Sequence, residues 1–170
     1  MSEPAALPAL AELAARIGAT LRERRETVAV VESSAGGLVS AALLAVPGAS
    51  AYFLGGAVVY SRRAGKALLG LTPADMGDLR SETEPYARFM ADRVRESHRA
   101  TWGICETGAA GPSGSPDGDA PGHVCIAVVG VAPKADAART VETAQADRPR
   151  NMDLFARHLL ALFDELLHPR

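Results

Sequence analysis

Leu10, Leu13, Ile17 and Leu21 recur at three- and four-residue intervals. That spacing predicts an amphipathic first helix, ending in the charged stretch Arg22 to Glu26, read as a solvated tail. Thr27 to Val31 is a short apolar run rich in β-branched residues, the pattern of a buried strand. It runs straight into Glu32-Ser33-Ser34-Ala35-Gly36-Gly37. Behind this, Leu38 to Val46 is apolar and Ala-rich enough for a packed helix that Pro47-Gly48 ends. A strand, a tight turn and a helix are therefore expected, with the two glycines as the first residues of the helix. Ala57 to Tyr60 reads as a second strand and Arg62 to Leu69 as a short helix closed at Gly70. Thr72-Pro73-Ala74-Asp75 supplies a cap, a first-turn proline and an acid, so a short helix should start there. Thr83-Glu84-Pro85 repeats the device before a longer helix, about Pro85 to His98, with Phe89, Met90 and Val94 inward. Thr101 to Glu106 and His123 to Val129 are strand-like runs flanking a long Gly/Pro/Ser loop, Thr107 to Gly122. Pro133 to Ala137 reads as a turn and Thr140 to Thr143 as a weaker strand. Asn151 to Leu167 places Phe155, Leu159, Leu162, Phe163 and Leu166 on one helical stripe.

Helices before, between and after strands imply a sheet covered on both faces. The expected fold class is α/β, a three-layer α/β/α sandwich with a mixed, mostly parallel sheet. His123 to Val129 and Thr140 to Thr143 are close enough in sequence to form a hairpin. A chain of 170 residues fits a single domain, 1–170, with no repeat and no linker. Ligands in such folds bind beyond the carboxyl ends of parallel strands. The loops Glu32 to Gly37 and Thr107 to Ser115 should both leave strands there, side by side.

Charge narrows the partners. Lys plus Arg number 18 against 20 Asp plus Glu, a formal net charge of -2, which gives no basic field for a nucleic-acid backbone. A small anion held by local groups stays open. No apolar run reaches the roughly 20 residues of a membrane span. Met1 to Pro8 has no basic segment followed by an apolar block, so no secretory leader is expected and cytoplasm is the expected location. Cys105 and Cys125 sit in apolar runs without zinc or disulfide spacing and read as buried thiols of neighbouring strands. Carboxylate pairs at metal-ligand spacing are absent, and neither a metal nor a cofactor is expected.

Ser33 and Ser34 stand where a strand turns into a helix beginning at Gly36 and Gly37. Exposed backbone N–H groups at such a start suit a phosphate or a developing oxyanion, and a neighbouring serine can be a nucleophile if a base takes its proton. A serine-capped structural turn gives the same pattern. The motif is neither the Gly-x-Ser-x-Gly elbow nor the Gly-x-x-x-x-Gly-Lys phosphate loop. Thr107-Gly108-Ala109-Ala110-Gly111-Pro112-Ser113-Gly114 is long and small-residued, as functional loops often are. Of the four histidines, His98, His158 and His168 belong to helices or their ends, and His123 leaves the long loop.

The two loops occur in order with Pro47-Gly48-Ala49-Ser50-Ala51-Tyr52-Phe53, Gly56-Ala57-Val58-Val59-Tyr60-Ser61, Leu69-Gly70-Leu71, Thr83-Glu84-Pro85 and Gly122-His123-Val124. This series resembles the CinA carboxy-terminal domain family over about residues 10–165. The family includes nicotinamide mononucleotide deamidases, which release ammonia and nicotinic acid mononucleotide. The amino-terminal domain of full-length CinA proteins, with its pyrophosphatase chemistry, is not expected here. The resemblance implies Ser33 as nucleophile, with Tyr60, Thr107 and Arg148 in the site. Where the family has a lysine five residues after the tyrosine, this chain has Gly65. Lys66 stands one place later, about 100° around a helix. Ala35 replaces a threonine, Ala146 a glycine and Met152 an arginine.

The resemblance implies a metal-independent amidohydrolase acting on a small nucleotide. Ser33, Tyr60, Lys66 and Thr107 are the catalytic candidates. Ser34, Gly36, Gly37, Gly108, Gly111 and Arg148 are the substrate-binding candidates, with N–H groups near Gly36, Gly37 or Gly108 holding the oxyanion and Arg148 contacting phosphate or positioning the substrate. Lys66 is the amine base, since the guanidinium groups of Arg62 and Arg63 keep their protons. The alternative is a homologue that keeps the fold and a pocket without catalysis, as a nucleotide-binding or assembly protein. A homodimer is expected.

Overall fold

Every residue of Val28–Glu32 (β1) is buried, so this strand has neighbours on both edges and helices on both faces. The computed structural model describes residues 6–169; of the segment expected to lack a leader, 1–5 lie outside. One five-stranded sheet runs in the order β2-β1-β3-β4-β5, with β2 Phe53–Val58, β3 Trp102–Gly108, β4 His123–Gly130 and β5 Asp136–Glu142. β2 and β3 both pair parallel to β1, β4 pairs antiparallel to β3, and β5 antiparallel to β4. The sheet is mixed, with only β4 reversed.

Alternation along the strands divides the core. Val28, Val30, Trp102, Ile104, Ile126 and Val128 pack with α1 (Leu10–Arg24), α2 (Leu38–Leu44) and α6 (Arg148–Leu167). Ala29, Val31, Cys105, Cys125 and Ala127 face the other way, against α3 (Arg62–Leu69) and α5 (Glu84–His98). The expected three layers are present. Their dominant packing residues include Phe155 and Phe163, completely buried, the latter edge-on to Trp102 at 5.5 Å. Short α4 (Pro73–Met76) starts in a reciprocal capping box between Thr72 and Asp75. Both cysteines are buried free thiols in adjacent strands.

Several boundaries differ from the sequence reading. The second strand begins at Phe53, not Ala57, and runs through Gly55 and Gly56. Side chains close over those glycines: a Cβ on Gly56 would stand 2.3 Å from Ser40 Oγ. The last strand starts inside the expected turn, at Asp136, as a polar edge strand. Gly36 and Gly37 precede α2 with φ of 66° and 102°, left-handed turn geometry that few other residues adopt. Glu26, expected in a solvated tail, is buried. It accepts from Trp102 Nε1 at 2.6 Å and from Lys134 Nζ, and these contacts hold its carboxyl low although burial alone would raise it.

Candidate functional site

β1 and β3 are adjacent parallel strands, so the segments leaving their carboxyl ends meet. The Ser34 hydroxyl donates to the Gly108 carbonyl, and the backbone N–H groups of Ser33 and Ala35 donate to Glu106 Oε2 at 3.0 and 2.9 Å. The expected juxtaposition of the two loops is therefore real. It is made chiefly by a carboxylate that the sequence reading did not single out.

A cleft of about 610 Å³ opens beside this junction, on the α3 and α5 side of the sheet. Ser33, Tyr60, Lys66 and Thr107 all line it, together with Arg62, Arg63, Gly65, Glu82 and Tyr86. Ser33 is half-buried, Thr107 buried, Lys66 exposed, and Tyr60 stands 64% exposed at the rim. Gly65 is buried in the cleft wall, where a Cβ would meet Leu71 Cδ1 at 3.0 Å and Val59 Cγ1 at 3.5 Å. Arg62, Arg63 and Lys66 are exposed and, among the described residues, unpaired with carboxylates. Surface arginines such as Arg80, Arg139 and Arg157, by contrast, have acidic partners. Cation excess at the mouth favours an anionic ligand.

The other sequence-derived site residues are held by internal bonds. Arg148 Nη1 donates to the Gly111 carbonyl at 2.6 Å and Nη2 to the Tyr60 hydroxyl at 2.8 Å. The Gly36 N–H donates to the Ser33 carbonyl at 3.1 Å and the Gly37 N–H to Glu32 Oε1 at 3.0 Å. These two amides are thus not the free donor cluster expected from the sequence. Glu32 carries the correction further, because its carboxylate also accepts from Val39 N, Ser40 N and Ser40 Oγ and so caps α2 from within. Ala35, where the resemblance expects a threonine, is completely buried, and Met152 lies against Gly36.

The far wall of the cleft is pinned through Glu82, whose φ of 56° is unusual for a side-chain-bearing residue. Its N–H donates to Thr107 Oγ1 at 3.3 Å, and its carbonyl accepts from His123 Nε2 at 2.9 Å and Cys125 Sγ at 3.3 Å. Burial, with Asp119 and Asp117 nearby, raises the Glu82 carboxyl. Burial also pushes the Tyr86 phenol up to about 12, so it lines the cleft as a neutral group. His123 bonds Glu142 through Nδ1. Burial disfavours its charge, but Glu142, the Glu82 carbonyl and Asp119 together raise its pKa. Behind the second loop, buried Asn151 donates to the carbonyls of Ala110 and Gln145, tying that loop to α6. The signal for Glu106 and Asn151 was present as polar residues inside or beside apolar runs.

Comparison with known proteins bears on this geometry. A family model described as the CinA C-terminal domain matches residues 10–167. A CinA-like protein of Gloeothece citriformis is 41% identical over 112 residues, 66% of this chain and 27% of that protein. A CinA-like protein of Myxococcus xanthus is 36% identical over 148 residues, 84% of this chain and 35% of that protein. The chain thus spans about a third of the length of such relatives. Among solved structures, a competence or damage-inducible protein from Enterobacter asburiae superposes with a TM-score of 0.85 at 27% identity, covering 94% of this chain and 99% of that one. A competence/damage-inducible protein from Agrobacterium tumefaciens gives 0.84 at 26% identity, covering 98% and 99%.

Proposed function

The chain belongs to the CinA C-terminal domain family, and from that membership we propose that it is a metal-independent amidohydrolase converting nicotinamide mononucleotide to nicotinic acid mononucleotide and ammonia. The observation that carries this reading is the common cleft: Ser33, Tyr60, Lys66 and Thr107 line one cavity of about 610 Å³. Ser33 Oγ attacks the carboxamide carbon while the amine of Lys66 takes the hydroxyl proton. That proton then passes to the departing nitrogen, the C–N bond breaks, and ammonia leaves an ester on Ser33. Water, deprotonated by the same amine, hydrolyses the ester, freeing the carboxylate and restoring Ser33.

Arg62 and Arg63 are the groups we assign to the substrate phosphate, because their charges at the cleft are uncompensated. Arg148 orders Tyr60 and Gly111 instead. Work in the cytoplasm and as a homodimer is part of the same proposal, the latter supported by exposed Leu54 and Val58 on edge strand β2. The test is ammonia release from nicotinamide mononucleotide, expected for the native chain and lost in Ser33→Ala.

One observation favours a second reading, a ligand-binding homologue without catalysis. Gly65, at the position of the family lysine, is closed in by Leu71 and Val59, and Lys66 is exposed. Saturable nucleotide binding without ammonia release would select it.

A further inference from the structure

Glu32, the last residue of β1, and Glu106, two residues before the end of neighbouring β3, are both completely buried, yet they are served unequally. Glu32 receives four donors, enough to replace its lost hydration. Glu106 receives two, both on Oε2, while its Oε1 has no partner. The two donors are the amides of Ser33 and Ala35, which bracket the turn carrying the serine. Ser34 between them is tied to Gly108 on the strand of Glu106. Glu106 shares its side of the sheet with Trp102 and Ile104, while Thr107 beside it lines the cleft on the opposite side. It therefore reaches the cleft only through the turn.

We propose that Glu106 is the positioning residue of Ser33: its Oε2 fixes the amides of Ser33 and Ala35 and thereby the direction from which the Ser33 hydroxyl enters the cleft. The grip is strongest with the carboxylate ionised, because charged acceptors make bonds roughly twice as strong as neutral ones. The groups that face this carboxyl are Glu32 from β1 and Ser34 from the turn. Burial raises it to about 7, with Glu32 adding to the rise, against the pull of the Ala35 and Ser33 amides and the nearby Ser34 hydroxyl, so the grip tightens as pH rises through neutrality. The catalytic part of the inference rests on the proposed amidohydrolase reading. The positioning part does not.

The test follows the backbone amide resonances of Ser33 and Ala35 by NMR from pH 5 to 9. In the native chain both should titrate together with a midpoint of about 7, and the shift should vanish in Glu106→Gln, which keeps an acceptor oxygen but not the charge. Flat resonances in the native chain, or a titration that persists in Glu106→Gln, overturn the proposal without any need for a variant to be active. In deamidation assays, Glu106→Asp, whose carboxylate is withdrawn by one methylene, should lower kcat by about 10- to 100-fold with KM little changed. Glu106→Gln should remove from the kcat profile the component that rises through about pH 7. An unchanged kcat in Glu106→Asp counts against the inference. Absence of ammonia release with the amide titration intact removes the amidohydrolase reading and leaves Glu106 as the residue that sets the turn.

Discussion

The Arg148 guanidinium bridges the Tyr60 hydroxyl and the Gly111 carbonyl, joining the segment after β2 to the loop after β3. An arginine so engaged has little left for a phosphate, whereas Arg62 and Arg63 at the cleft have unspent charge. Calorimetry with a phosphorylated ligand and its bare nucleoside separates the roles. Arg62→Ala or Arg63→Ala should weaken only the phosphorylated ligand, by about 1.5–3 kcal/mol for a well-formed charge-assisted contact. Arg148→Ala should weaken both alike, through loss of order in Tyr60 and the loop. Selective loss of the phosphorylated ligand in Arg148→Ala would return the phosphate to that residue.

Both ring nitrogens of His123 face oxygen acceptors, Glu142 through Nδ1 and the Glu82 carbonyl through Nε2, so the imidazolium fits this position better than the neutral ring. Its pKa is raised in the fold. The stability it contributes is therefore fully present below the ordinary value of 6.5 and is lost as pH rises through the higher folded value. Chemical denaturation of the native chain and His123→Gln should show a gap that narrows over that window. The same variant should free the Glu82 wall, read as faster hydrogen exchange at the Glu82 amide.

The fold and the pairing of the two loops were legible because they rest on local signals: helical stripes, capping residues and glycine punctuation at Gly48 and Gly70. What escaped depended on partners distant in sequence. Gly55-Gly56 looks like a break until His98 and Ser40 occupy the space above the strand. Glu26 looks solvated, and Glu106 passes as the last residue of a strand-like run, because nothing local announces Trp102 and Lys134 for the one, or two turn amides for the other. Gly36 and Gly37 were legible as the junction of strand and helix, but as the helix's first residues and not as the left-handed turn before it. The capture of their amides by Glu32 and the Ser33 carbonyl was not legible.

Glu106 also shapes stability. Its carboxyl is raised from 4.5 to about 7, so its contribution is fully present below about pH 4.5 and is lost as pH rises through about 7. Glu106→Gln carries no such dependence. Relative to the native chain, the variant should therefore gain about 3 kcal/mol of unfolding free energy between pH 4 and pH 8. Parallel stability profiles for the two proteins would mean that Glu106 carries the same charge folded and unfolded.

Lys66 lines the cleft with Ser33 but is exposed, whereas Gly65 lies in the wall with Leu71 and Val59 against it. A lysine at 65 would leave the helix on the inner side, where a serine base is needed, but its Cβ would stand 3.0 Å from Leu71 Cδ1. Overpacking of this kind typically costs about 1–3 kcal/mol, so the exchange Gly65→Lys with Lys66→Ala should lower stability while raising deamidation. Adding Leu71→Ala should relieve the clash and recover part of the loss, less the cost of the removed Leu71 methyls. Lys66→Ala alone should abolish the native rate, because no other amine lines the cleft among the described residues. An active native chain whose rate survives Lys66→Ala would rule out the serine/lysine mechanism here.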